Sequence, residues 1–281
     1  MKKAILGLFS LLFFSLGSWA QSGGNSETPQ DFKIRAVAEL GFLSVIDHKV
    51  QFSNSGTYFD YRDQGGQDVL FPVSRYSLEL EFNKKNTFYL LYQPLRLESQ
   101  VLLQEDLIVD DMVFPANTGV NLLYSFPFYR LSYTRELLSD NDKWAFAIGA
   151  SLQIRNATIS FESTDGSRFR TNRDVGLVPA LKIKSRAYLS DRVFAELEAD
   201  GIYAPVSYIN GSDNEVVGAI LDASLRMGVE LNAPVTAFLN ARYLGGGAVG
   251  TSDVDGPGDG YVRNWLNFFT LTAGFIYEFA P

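Results

Sequence analysis

The sequence predicts an all-β protein, an up-and-down antiparallel transmembrane β-barrel of ten strands, with eight or twelve strands as alternatives. Three observations predict it. Ten segments alternate apolar and polar residues with period two, which gives each strand one apolar and one polar face. Most are at least as long as the roughly 9–11 residues that a strand needs to cross a bilayer, where soluble strands run to about 5–6. The connections alternate long and short, so longer loops share one rim and short turns the other.

The chain opens Met1-Lys2-Lys3, runs apolar from Ala4 to Leu16 and reaches Ser18-Trp19-Ala20. A basic start, a short apolar stretch and a small–x–small site make a secretory signal peptide over residues 1–20. That run is too short to cross a bilayer as a helix, and no later stretch approaches the length that would. Residues 21–32 lack periodicity and read as a flexible periplasmic leader. The barrel domain is expected over 33–281. With no cysteine, the chain has neither disulfides nor a lipid-anchored thiol. The formal net charge is −8 even with Lys2 and Lys3 counted, which argues against nucleic acid as a partner.

The first strand is expected over Lys33–Ile46, with Ile34, Ala36, Ala38, Leu40 and Phe42 on one face and Arg35, Val37, Glu39 and Gly41 on the other. A long connection, Asp47–Pro72, precedes the second, Val73–Asn83. The third, Thr87–Gln104, changes phase at Pro94, as at a bulge. Beyond it Leu95, Leu97 and Val101 oppose Arg96, Glu98 and Gln100. Glu105–Gly119 is a second long connection with a small hairpin of its own at Leu107–Phe114. The fourth strand, Val120–Leu138, carries an internal proline, Pro127; the fifth is Lys143–Phe161.

The sixth and seventh strands form a hairpin over Val175–Tyr203, turning at Ser190–Arg192. Pairing Leu189 with Val193 sets Arg186 against Glu196, Lys184 against Glu198 and Lys182 against Asp200, an opposite-charge ladder on the polar face. The eighth strand is Glu215–Leu231 and the ninth Val235–Leu244. A glycine-rich loop, Gly245–Gly260, leads to the tenth at Asn264–Phe279. Aromatics bracket an aliphatic middle: Phe82, Phe88, Trp144, Tyr277 and Phe279 near short turns, and Phe42, Tyr203, Tyr243 and Trp265 near long loops. Two girdles fit two membrane interfaces.

The final run Phe269–Phe279, FTLTAGFIYEF, together with the pattern over Lys33–Phe279, resembles the small Gram-negative outer-membrane β-barrels, such as the OmpA membrane domain, OmpX, OmpW and the omptins. It departs from them in ending Ala280-Pro281 rather than on an aromatic. The resemblance implies outer-membrane localisation, contact with outer-membrane lipid and lipopolysaccharide, and recognition by the barrel-assembly machinery through the C-terminal strand. Enzymes of that class depend on histidine, and this chain has one, His48, expected at the rim of the first long loop among Asp47, Asp60, Asp63 and Asp68. The omptin-type Asp-x-His and a His-x-Ser pair are absent.

In a barrel the polar faces meet in the lumen. Beside the ladder, its charges are expected to include Arg35, Glu39, Glu79, Glu81 and Arg226, with Arg75, Arg96, Arg130, Arg155 and Arg242 among further bases and Glu98, Glu136, Asp222, Glu230 and Glu278 among further acids. The signs nearly cancel, which favours a filled, charge-paired interior over a selective pore. Asp253, Asp255 and Asp259 resemble a calcium loop but lack its terminal glutamate, so no metal and no cofactor is expected. The expected role is non-enzymatic: envelope structure or surface interaction through long acidic loops. A narrow channel for ions or small solutes, a hydrolase using His48, and a secreted soluble β-protein are the alternatives.

Overall fold

The computed structural model describes residues 32–138, 141, 143–205, 216–251 and 258–279. Of the segments read as signal peptide (1–20) and leader (21–32), residues 1–31 lie outside the described residues, and Phe32 belongs to the first strand instead, paired with Phe82. Asp253 and Asp255 also lie outside the described residues.

Among the described residues there are fifteen strands: β1 (Phe32–Phe52), β2 (Phe59–Asp60), β3 (Leu70–Phe82), β4 (Asn86–Gln93), β5 (Arg96–Leu102), β6 (Leu107–Val109), β7 (Met112–Phe114), β8 (Gly119–Ser125), β9 (Phe128–Glu136), β10 (Trp144–Ser163), β11 (Phe169–Tyr188), β12 (Val193–Pro205), β13 (Val217–Asn232), β14 (Val235–Thr251) and β15 (Tyr261–Phe279). Antiparallel neighbours run β11–β12–β13–β14–β15–β1–β3–β4–β9–β10, and β10 pairs β11 to close the ring. The result is the ten-stranded up-and-down barrel. Pro94 separates β4 from β5 and Pro127 separates β8 from β9, because proline brings no N–H to a ladder.

The wall has two zones of opposite polarity. On β10, Ile148, Leu152 and Ile154 face outward and exposed, while Ser151 and Gln153 are buried inside. Six residues on, the sides exchange: Ala157, Ile159 and Phe161 are buried, and Asn156 and Glu162 face out. β1 does the same past Phe42, and β15 does so on the far side of Phe269. The zone with apolar residues outward carries Leu40, Phe42, Leu181, Leu225, Leu239, Leu271 and Phe275, all exposed. A closed antiparallel barrel wearing an apolar belt is the form in which strands span the outer membrane, since closure leaves no unpaired edge in lipid. The protein is an outer-membrane β-barrel. Beyond the belt, on the long-loop side, the wall continues with polar residues outward and an apolar filling, the arrangement of a soluble β-protein.

This exchange corrects the reading of β5. Arg96 and Glu98 are not lumenal: both side chains are 59% exposed on the outer surface, paired with each other, while Leu95 and Leu97 are buried. The strand stands above the belt, where water is outside, so the polar side turns out. Several strands also extend into regions read as loop, β1 and β14 the furthest into the glycine- and aspartate-rich connections. β1 continues through His48 to Phe52 after a register shift between Val45 and Asp47. β14 runs through Gly245–Gly250 rather than ending at Leu244. Gly247 is opposite Trp265, so closely that a Cβ there would sit 1.9 Å from the Asn264 carbonyl oxygen. Close packing of backbones, not loop freedom, requires glycine at that position.

Candidate functional site

The barrel interior holds the chemistry, and it is built in two layers. In the membrane zone, period-two alternation sends every second residue inward, and those residues are charged. The register of β11 on β12 places Arg186 opposite Glu196, Lys184 opposite Glu198 and Lys182 opposite Asp200. Arg186 bonds Glu196 directly at 2.5 Å, and Lys182 bonds Asp200 at 3.0 Å. The middle rung is skewed: Glu198 accepts from Lys182 at 2.5 Å, while Lys184 lies between Glu196 at 3.5 Å and Glu79 at 3.7 Å.

These pairs belong to one connected lattice. From the short-turn rim, Glu278 bonds Arg35 (2.9 Å), which also holds Glu81 (2.7 Å) and Glu79 (3.6 Å). Glu79 leads through Lys184 to Glu196, and Glu196 to Arg226 at 2.9 Å. Glu39 accepts from Arg226 at 3.2 Å and from Arg75 at 3.0 Å, and takes further hydrogen bonds from Asn240 and Thr272. Arg75 then reaches Glu198 at 3.7 Å, and Lys182 carries the chain to Asp200. Arg130 bridges Asp200 (2.9 Å) and Asp222 (2.8 Å), and Arg242 bonds Asp222 and the Gln93 amide oxygen. Seven cations meet eight anions along this path, and Arg186, bonded to Glu196, is an eighth cation beside it. A buried charge without a partner costs several kcal/mol, so a lattice that pairs all of them is the way such a lumen can be filled.

Arg35, Glu39, Glu79, Glu81 and Arg226, read as lumenal, all lie in this lattice. Five candidates do not: Arg96 and Glu98 pair on the outer surface, Arg155 pairs with Asp174, Glu230 is exposed beside a short turn, and Glu136 accepts the Leu138 and Phe146 amides of another. Gln93, Gln153, Asn240 and Thr272 are neutral members that a search for charges passes over. Their inward position in the alternation was the available signal.

Above the lattice the filling is apolar. Leu43, Val45, Phe71, Val73, Leu97, Leu122, Ile159, Phe161, Leu266 and Phe268 point in from the wall, and Phe59 and Tyr61 from the first loop and Leu107, Val109 and Phe114 from the β6–β7 hairpin pack among them. The hairpin is tied to the first loop by Thr57–Ile108 hydrogen bonds, to the end of β1 by Asp110–Phe52, and to β11 by Arg170–Asp110 at 2.9 Å. The first two long connections therefore fold over the mouth.

His48 lies inside this layer, not on a rim. It is fully buried, stacked on Tyr61 with ring centres 4.5 Å apart, and set edge-on to Tyr124. Its Nδ1 is 2.7 Å from Gln67 Oε1, and that amide oxygen accepts, so Nδ1 carries the proton. Of the loop carboxylates, Asp60 caps the Arg62 and Asp63 amides, and Asp63 pairs with Arg62. Asp259 accepts from both nitrogens of Asn54 and from the Tyr261 amide. Among the described residues no three histidine or acidic side chains group as a metal site.

No protein-family model matches the chain, and no curated protein matches its sequence. Among solved structures it is similar to the transport unit of the autotransporter AIDA-I from Escherichia coli, at 10% identity and a TM-score of 0.40, covering 97% of this chain and 98% of that one. It is similar also to a FadL homologue of Pseudomonas aeruginosa (8%, TM-score 0.39, covering 89% and 90%). A third is the translocator domain of the autotransporter NalP from Neisseria meningitidis (14%, TM-score 0.34, covering 98% and 96%). The barrel rests on its own hydrogen-bonded register, which these likenesses do not add to.

Proposed function

We propose that the protein is a non-enzymatic outer-membrane barrel whose lumen is closed to ions and solutes, and whose work is done by the folded extension above the membrane. The observation that carries this reading is the lattice from Glu278 to Arg242, balanced in sign and backed by an apolar layer. A conducting path needs either a water-filled bore or an excess of one charge to recruit a counter-ion. Balanced pairs at hydrogen-bonding distance favour neither. A hydrolase is disfavoured because His48 has an amide and two tyrosine rings for neighbours in place of a nucleophile.

The partners that fit are outer-membrane lipid around the belt, lipopolysaccharide at its outer rim, and the assembly machinery at β15. Cleavage after residue 20, with a leader from residue 21 up to the start of β1, completes the reading. Planar-bilayer recording of the refolded barrel tests it. A flat baseline is the expected result, and unitary conductance steps would replace the closed barrel by a channel.

A further inference from the structure

The wall above the belt is not continuous. β3 pairs β4 only from Tyr76 to Phe82, so among the described residues its earlier stretch, Leu70–Arg75, has no partner on that side. β5, which would continue β4 there, pairs only with β8. Among the described residues, two unpaired strand edges thus bound a seam in the wall. Prolines account for it: Pro94 ends β4 before its ladder with β3 can extend, and Pro72 brings no N–H to the edge of β3.

The free groups of β5 can be assigned. Phe126 N–H donates to the Leu95 carbonyl and Leu103 N–H to the Thr118 carbonyl. In an antiparallel ladder this makes Leu95, Leu97, Ser99, Val101 and Leu103 the residues bonded to β8. Arg96, Glu98, Gln100 and Leu102 then turn their N–H and C=O groups to the seam; the Leu102 carbonyl takes a bond from the Gln104 side chain there. The edge is held firmly from behind. Ser99 Oγ donates to the Gly65 carbonyl at 2.5 Å, and Gly66, at φ +70°, lies against Val101. Proteins usually cover or bend such an edge, because it is a template for another strand.

We infer that the outer edge of β5 is a docking site for an extended polypeptide segment of a partner, added as an antiparallel strand in the seam. This names the chemistry of the surface role proposed above and rests on it. Lipid is a poor occupant, since the outward side chains Arg96, Glu98 and Gln100 are polar and exposed. A second copy in the same membrane is excluded by geometry. Copies related by an axis along the membrane normal carry β5 in the same sense, and their edges cannot meet antiparallel. A free extended segment has no such constraint, and its main chain matches a preformed row of donors and acceptors.

The test uses the refolded full-length barrel in lipid nanodiscs and fluorescein-labelled eight-residue peptides alternating Thr-Val, Lys-Val and Glu-Val, read by anisotropy. At least one peptide should bind saturably, and its version N-methylated at alternate residues should bind at least tenfold more weakly. Gln100→Pro removes one seam-facing N–H without touching the β8 ladder, and should weaken binding at least tenfold; Gln100→Ala, which keeps that N–H, should not. A heat-modifiable gel shift reports whether Gln100→Pro has folded, and if it has not, the N-methylated peptides decide alone. Failure of all three peptides to bind, or binding indifferent to N-methylation or to a folded Gln100→Pro, overturns the inference. Conductance is read separately, so a channel would refute the closed lumen without bearing on the edge.

Discussion

Glu39 and Arg226 pair at 3.2 Å across the barrel interior, although β14 and β15 separate their strands in the wall. Such a contact ties strands three apart in the ten-strand ring through the interior. Glu39 also holds Arg75, so replacing it takes a carboxylate from two buried guanidinium groups at once and leaves Arg226 only Glu196 and Arg75 only the longer contact to Glu198. Glu39→Leu should destabilise the barrel by about 3–5 kcal/mol, the range for a buried pair that loses one member. Denaturant unfolding in lipid vesicles reads this.

Within the hairpin ladder, Glu198→Leu should cost more than Leu197→Ala. Glu198 serves Lys182 and Arg75 in the lumen, whereas Leu197 is exposed on the lipid face. Unfolding midpoints in the reverse order would mean that the charged face is the one in contact with solvent.

His48 predicts a structural phenotype. His48→Ala removes the partner of the Gln67 amide oxygen and a ring that fills space between Tyr61 and Tyr124. A buried polar group left unsatisfied costs about 1–3 kcal/mol. The first loop, residues 53–69, should be cut faster in limited proteolysis, and His48→Gln should restore part of the resistance. Enzyme turnover abolished by His48→Ala with the loop still protected would contradict this.

Gly247→Ala should destabilise β14. The added methyl meets main chain of β15, which yields only by moving a strand, and overpacking of this kind costs about 1–3 kcal/mol. A flexible-loop glycine would tolerate the change. The unfolding midpoint of the variant distinguishes the two.

Asp259 links the last loop to the first. The Asn54 amide, the Tyr261 amide and the Asn54 side chain hold its carboxylate down at about 2. Because the folded value lies below the unfolded one, the tie is complete above about pH 4 and is lost as pH falls through 2. Carbon-detected titration of the Asp259 carboxyl should give a midpoint near 2, and Asp259→Asn should increase amide exchange at Asn54.

Much of the barrel was legible because alternation is a local property. The hairpin register followed from pairing Leu189 with Val193, after which period two fixes each rung, and the Leu189 amide does bond the Val193 carbonyl. Arg96 and Glu98 were misplaced for the same reason: alternation shows which residues share a face, not which face meets lipid. The exchange on β10, where Ala157, Ile159 and Phe161 take the inward side, is visible in the sequence only once the membrane boundary is known.

The sequence alone determined the strand class, the even strand count with its short turns at one rim, and the balance of charge destined for the interior. These depend on residues near one another in the chain and on the bilayer's thickness. Tertiary structure decided the rest. It linked Glu278, Arg35, Glu79 and Lys184 into one lattice, buried His48 beneath the first loop, and left the outer edge of β5 without a strand partner among the described residues. Each of those depends on which strands meet around a closed ring, and closure joins residues that no local period relates.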